Sequence, residues 1–372
     1  MAESTYFVTG YPGFIGKRLV RALYERRAGS KLYMLVQQKF ESQAREEIAR
    51  FVSGDSGRIT ILTGDVVDMH LGLSSAEYRT LTETVTDIFH LAAIYYLGVD
   101  KRSMRQVNVD GTANVLELAA DCQTLRRFNH MSTSIVSGSR LGVIAEDELD
   151  EGQKFRSPYE ESKFQAEVLV EKAKATLPVS IYRPGIVVGD SKTGEIDRFD
   201  GPYYLAILLV MSPVAVPLPL PGSAVAPLNV VPVDYVVDAM IHLAHDPRGV
   251  GKTFHLVDPN PMAARRVYQT IAEHAGKKLP PIRLSYKLAD KLLQIPVLER
   301  LVREERAAVT SVNHLAIYSS CNTLELLDGT GIRCPQLTSY IERLTDYVRQ
   351  YYSRKREGAD EPVEDPLGES AG

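Results

Sequence analysis

The stretch Tyr6-Phe-Val-Thr-Gly-Tyr-Pro-Gly-Phe-Ile-Gly16 restricts the possible folds of this chain more than any other. Tyr6 to Val8 reads as a short apolar strand, and Gly10-x-x-Gly13-x-x-Gly16 follows it directly. A segment of alternating apolar and basic residues, Phe14 to Arg27, then reads as a helix. In that order the pieces form the first strand-turn-helix unit of a parallel sheet. Gly10 permits the tight turn, Gly13 lets the main chain approach a pyrophosphate, and Gly16 lets helix and strand pack closely. Phosphates would rest on the exposed amides and positive dipole of the helix N-terminus. The expected ligand is a dinucleotide, with Gly10, Tyr11, Pro12, Gly13, Phe14, Ile15 and Gly16 forming the loop that holds it.

The pattern repeats through the first half of the chain. Strands are expected at Tyr6–Val8, Leu32–Val36, Ile59–Leu62, Ile88–Ala92, Arg127–Met131 and Val179–Tyr182. Helices are expected at Phe14–Arg27, around Ala44–Val52, and at Ala76–Thr84, Met104–Cys122 and Pro158–Ala175. Several strands are nearly continuous apolar runs, as befits a sheet covered by helices on both faces. The fold class expected is α/β, a doubly wound parallel Rossmann sheet followed by a smaller, mostly helical C-terminal cap that binds substrate. A helix at Asp234 to His245 and a strand at Thr253 to Val257 return to the sheet. Further helices are expected at Ala264–His274, Lys287–Leu293, Val297–Val309 and Pro335–Tyr352. The division expected is residues 1–190 with 234–258 for the dinucleotide, 191–233 with 259–353 for the cap, and a disordered tail at 354–372.

Bulk properties narrow the function. A chain of 372 residues, 44% hydrophobic and 24% charged, can bury a full core, and a net charge of −4 gives no reason to expect a nucleic-acid partner. Cys122, Cys321 and Cys334 show no metal-ligand spacing, so reduced thiols and a cytoplasmic location are expected, with no metal site. With the first strand beginning close to Met1, no signal peptide is expected. No residue between Asp200 and Asp234 is charged, and Tyr203 to Met211 is almost wholly apolar. A span needs about 20 apolar residues in an intact helix, and Pro213, Pro217, Pro219 and Pro221 interrupt this one. A buried helix or an apolar lid is expected instead. Contact with a bilayer surface and association as a homodimer stay open.

Ser157-Pro-Tyr-Glu-Glu-Ser-Lys163 is the second strong signal. Ser157 and Glu160 fit a capping box, and Pro158 suits the first helical position. Tyr159 and Lys163 then stand on one helix face, where an ammonium would favour the phenolate and bring the hydroxyl into range for proton transfer. Tyr351 and Lys355 share the spacing but have no comparable strand upstream. Before Tyr159, Met131-Ser-Thr-Ser134 puts hydroxyl side chains at the carboxyl edge of the fifth strand. Thr133 is the expected donor to a substrate carbonyl, while one of its neighbours bonds its own backbone. His90, at a buried strand end, is expected to be a packed, hydrogen-bonded side chain.

Six motifs together resemble the extended short-chain dehydrogenase/reductase superfamily. They are Thr9-Gly-x-x-Gly-Phe-Ile-Gly16, His90-Leu-Ala-Ala93, Asn108-Val-Asp-Gly-Thr112, Ser132-Thr133, Tyr159-x-x-x-Lys163 and Arg183-Pro-Gly185. Leu62-Thr-Gly-Asp-Val66, the segment from Glu146 to Lys163, and Val188-Gly-Asp-Ser-Lys-Thr-Gly-Glu195 resemble its thioester-reductase and fatty acyl-CoA reductase branch, the male-sterility type. The resemblance implies that Tyr159 donates the proton, Lys163 supports it and binds ribose, Thr133 holds the carbonyl oxygen, and Asn108 holds a relay water. It places Asp65 and Val66 beside adenine, and Leu91, Ala92, Ala93, Pro184 and Gly185 along the ribose and nicotinamide. The second strand ends in Gln37-Gln-Lys39 with no carboxylate, which counts against NADH. Related reductases often carry arginine where Gln37 stands, so Lys39 and Arg18 are the cations expected to meet a 2′-phosphate, and the cofactor expected is NADPH. The activity implied is reduction of a hydrophobic acyl thioester, fatty acyl-CoA or acyl carrier, to aldehyde or alcohol. The rivals are a dehydrogenase or epimerase of a secondary alcohol, sterol-like or a nucleotide sugar, and a non-catalytic cofactor sensor.

Overall fold

Strands and helices alternate along the computed structural model, which describes residues 4–52, 57–95, 99–197, 226–274, 276 and 314–356. The first half runs β1 (Thr5–Thr9), α1 (Phe14–Arg26), β2 (Lys31–Val36), α2 (Glu41–Ala49), β3 (Ile59–Thr63), α3 (Ser75–Thr84) and β4 (Asp87–His90). It continues with α4 (Lys101–Arg105), α5 (Gly111–Asp121), β5 (Arg127–Met131), β6 (Gly142–Ile144), α6 (Pro158–Ala173), β7 (Val179–Pro184) and β8 (Ile186–Val188). Then come β9 (Val230–Pro232), α7 (Val233–His245), β10 (Thr253–Leu256), α8 (Ala264–His274), β11 (Ala316–Tyr318), α9 (Cys321–Leu327) and α10 (Ile341–Arg356).

Seven strands form one parallel sheet in the order β3-β2-β1-β4-β5-β7-β10. The order reverses between β1 and β4, so a crevice opens there at the carboxyl ends, with Thr9 in register with His90 and His90 with His130. Because side chains alternate along a strand, β1 feeds two cores. Tyr6 and Val8 join Leu19, Leu23, Val236, Met240 and Leu243 on the α1–α7 side. Phe7 joins Ile88, Phe128, Val115, Leu118 and Val170 on the α5–α6 side. A third cluster, with Val188, Leu228, Val267, Ile271, Tyr340, Leu344 and Val348, gathers β8, α8 and α10.

The structure differs from the sequence reading in several places. β4 ends at His90, because the Ala92 amide bonds the Thr9 side chain rather than a strand carbonyl and the chain peels away there. The helix expected over Met104–Cys122 is interrupted by a π turn at Gln106–Asp110. β6, β8, β9 and β11 have three residues each, too short to show a period. Leu326 and Leu327 of α9, in the stretch assigned to the cap, pack into the α1–α7 core. Tyr351 is buried in the third cluster, far from the role of Tyr159 that its spacing imitates. The Tyr203–Met211 run, the helices expected at Lys287–Leu293 and Val297–Val309, and the tail from residue 357 lie outside the described residues. No helix among the described residues is long and apolar enough to cross a membrane.

Candidate active site

The glycine loop closes one wall of the crevice. Gly10 has φ +84°, and a Cβ there would lie 2.7 Å from the Leu91 carbonyl carbon and 2.8 Å from the Ala92 nitrogen. Gly16 packs so tightly that a Cβ would strike the Gly10 carbonyl oxygen, which also accepts the Gly13 amide at 3.1 Å. The main chain after β1 and the main chain after β4 therefore meet through hydrogen-only positions. α1 begins with no side-chain cap and no acidic residue in its first turn, so its leading amides suit a diphosphate. Tyr11, 4% exposed, turns its ring into the core and donates its hydroxyl to Ala44 O at 3.3 Å, so only its main chain lies along the loop.

At the ends of β2 and β3 the pattern is more acidic than the sequence reading expected. Gln37 Nε2 donates to Asp65 Oδ2 at 2.5 Å, and Asp65 Oδ1 accepts the Val67 amide. Val66 is buried against Gly111, and its carbonyl accepts from Asn114. Arg18 lies over the Phe14 ring and pairs with Glu195 at 3.2 Å and Asp197 at 3.3 Å, so two carboxylates already share its charge. Lys39 is exposed over the Phe40 ring, with no carboxylate paired to it among the described residues.

Across the crevice stands α6. Ser157 Oγ accepts the Glu160 amide, and Pro158 takes the first turn. The reciprocal half of the expected capping box is absent: the Glu160 carboxylate binds Arg156 through its amide and guanidinium. The helix carries Tyr159 towards the loop after β4, where its ring meets Tyr95 edge-on at 6.4 Å between centroids. One turn on, Lys163 is 2% exposed and donates to Met131 O at 2.7 Å, at the tip of β5. Burial pushes its ammonium down to about 8, with the Glu167 carboxylate pulling the other way. Thr133 follows two residues after Met131, half-buried, with Oγ1 accepting the Ile135 amide at 3.4 Å and its proton left to donate. Asn108, 1% exposed in the π turn, exchanges two bonds with Ile94 and donates to Ser162 Oγ at 2.9 Å. It ties the loop after β4, which includes Leu91, Ala92 and Ala93, to α6. Pro184 ends β7, and Gly185 passes Asn229 so closely that a Cβ would lie 2.6 Å from its carbonyl oxygen.

His90 is a wired structural group. The Ala92 amide donates to Thr9 Oγ1, Thr9 donates to His90 Nδ1, and His90 Nε2 donates to Thr112, which donates to Asn108 O. Burial lowers its pKa to about 3. Sequence reasoning missed three groups under the same edge. His130 is buried, and neither ring nitrogen has a hydrogen-bond partner among the described residues. Glu167, fully buried, binds Arg183 and accepts from Ser132 Oγ. Tyr95, 43% exposed, flanks Tyr159. The one available signal was Glu167 itself, a charged residue four after Lys163 on an otherwise inward stripe.

Three comparisons bear on this site. The terminal R domain from the myxalamid PKS-NRPS biosynthetic pathway superposes with a TM-score of 0.81 at 29% identity, over 98% of this chain and 93% of that one. The non-canonical nonribosomal peptide synthetase hkm10 of Aspergillus hancockii is 25% identical over 94% of this chain, which spans 37% of that protein's length. Fatty acyl-CoA reductase wat of Drosophila melanogaster is 27% identical over 64% of this chain and 54% of its own. The family profile described as male sterility protein, an NAD-binding family, matches residues 8–240. The chain thus belongs to the male sterility protein family, NAD(P)-dependent oxidoreductases of the extended short-chain dehydrogenase/reductase type.

Proposed function

We propose that this chain reduces a hydrophobic acyl thioester, carried on CoA or on a carrier protein, to the aldehyde, with further reduction to the alcohol open to the same site. The observation that carries this reading is Lys163 seated on the tip of β5, with Thr133 two residues beyond and Tyr159 one turn before, beside the glycine crevice. The R domain and acyl-CoA reductase among its relatives support the substrate class. When bound, the reduced nicotinamide supplies the hydride. Thr133 and Tyr159 then donate to the oxygen as charge develops on it, and Tyr159 gives up its proton. Lys163 holds a positive charge behind the phenol. Collapse of the tetrahedral adduct breaks the carbon–sulfur bond and releases the thiol. Residues 1–190 with 234–258 hold the cofactor and the cap receives the acyl group. The test is purified chain with NADPH and palmitoyl-CoA: nicotinamide oxidation with matching thiol release is expected. Oxidation of a sterol or turnover of a nucleotide sugar, with every acyl thioester inert, would reject it.

NADPH is the cofactor proposed, and Lys39 is its 2′-phosphate ligand, because Arg18 is paired elsewhere and β2 ends without a carboxylate. The Asp65 carboxylate beside Gln37 works against a phosphate there, so the preference rests on one exposed cation. Lys39→Glu is expected to weaken NADPH binding by about tenfold or more while leaving NADH nearly unchanged, from loss of one charge-assisted contact. Titration of each cofactor by fluorescence reads this directly. Equal affinity of the variant and wild type for NADPH would remove Lys39 from the site.

A further inference from the structure

We infer that Glu167 is a positioning residue for the reaction, gripping Ser132 so that the hydroxyl of Thr133 is held in register with Tyr159. This rests on the reductase reading above. Tyr159, Lys163 and Glu167 are spaced by four along α6 and so lie on one stripe of the helix. Two of the three grip the β5 edge directly. Lys163 Nζ donates to Met131 O at 2.7 Å, and Ser132 Oγ donates to Glu167 Oε2. A third restraint comes from the neighbouring strand, where the Ser132 amide donates to Tyr182 O at 2.7 Å. Residues 131 and 132 are therefore fixed in main chain and side chain immediately before Thr133, at the point where the strand stops and the ladder can no longer order the backbone.

Glu167 is fixed in its turn. Arg183, on β7, donates to Glu167 Oε1 from Nε at 2.8 Å and from Nη2 at 2.6 Å, and the two side chains are 1% and 0% exposed. Arg183 is braced by the Glu146 carbonyl and by His255 Nε2 at 3.2 Å, while His255 Nδ1 donates to Ser319 O at 2.6 Å. The two carboxylate oxygens are thus divided, one for the guanidinium and one for the serine. A fully buried ion pair is a poor source of stability, because desolvation offsets its attraction and apolar replacements are often as stable. Its direction is specific, however, and it points one oxygen at the residue before Thr133. The geometry of α6 against β5 is then set by two side chains of the stripe that carries the proton donor.

Ser132→Ala removes this grip without unpairing Arg183. In wild type and variant we would measure kcat on palmitoyl-CoA, the Kd of NADPH, and the primary isotope effect with NADPH deuterated at the transferred position. Expected for Ser132→Ala is a loss of about 10- to 100-fold in kcat, the scale of a small misplacement of reacting groups. NADPH affinity should be kept and the isotope effect should rise, and Ser132→Thr, which retains the hydroxyl, should recover much of the rate. Wild-type kcat and isotope effect in folded Ser132→Ala would overturn the inference, as would loss of rate accompanied by loss of NADPH binding. The reductase reading fails separately, through an inactive wild type or a fully active Tyr159→Phe.

Discussion

Tyr159→Phe is expected to lower kcat for thioester reduction by about 10²- to 10⁴-fold, the range for loss of a positioned proton donor. NADPH affinity should stay within about twofold, since only the hydroxyl is removed and binding common to ground and transition states is untouched. The variant keeps the aromatic ring that meets Tyr95 and the helix start set by Ser157 and Pro158, so the architecture has no reason to change. Residual activity should come from Thr133, which retains a proton to donate. Stopped-flow and steady-state rates with NADPH and palmitoyl-CoA check the first part, and cofactor fluorescence titration checks the second. Turnover equal to wild type would end the assignment of Tyr159 as donor. Lost cofactor binding would instead place the side chain in the dinucleotide pocket.

Acid should destabilise the protein well above the carboxylate range. Burial lowers His90 and His255 to about 3 and moves His130 in the same direction, whereas the unfolded chain takes up these protons near 6.5. Between those values the unfolded state binds more protons than the native state, so stability rises with pH and is lost as pH falls below about 6.5. His90 and His255 alone account for about 4 kcal/mol between neutral pH and about pH 5, at roughly 1.4 kcal/mol per unit per group. That is a large part of the 5–15 kcal/mol typical of a folded protein. Glu146 and Asp258, their carboxyls raised by burial, oppose the trend, while His245 and His314, lowered by burial, add to it. Urea midpoints at a series of pH values would show the slope, and a midpoint constant from pH 7 to 5 would contradict it. His130→Leu isolates one contribution. Its ring nitrogens have no partner to lose among the described residues, so the variant should fold and the slope should fall by about one proton.

The legible part of this protein was local. The strand-loop-helix unit at residues 5–26 could be read from neighbouring residues, because its glycines answer to constraints within a single turn: φ +84° at Gly10 and contact between Gly16 and the Gly10 carbonyl. The start of α6 was legible too, down to Pro158, though the Glu160 carboxylate went to Arg156, whose amide and guanidinium together offer more than the single Ser157 amide. Arg18 shows the limit. Nothing near it in the sequence announces its ion pairs, and only the fold brings Glu195 and Asp197 to it.

What the sequence by itself determined is the alternation of strand and helix, the dinucleotide loop and the family, since each depends on periodicity or on residues close together in the chain. Only the tertiary structure decided which charges are paired and which side chains hold the β5 edge. Ser132, Glu167, Arg183 and His255 span four segments, and their desolvated bonds exist only once α6, β5, β7 and β10 have packed. A buried polar network has no signature in spacing, because its partners are chosen by the exclusion of water.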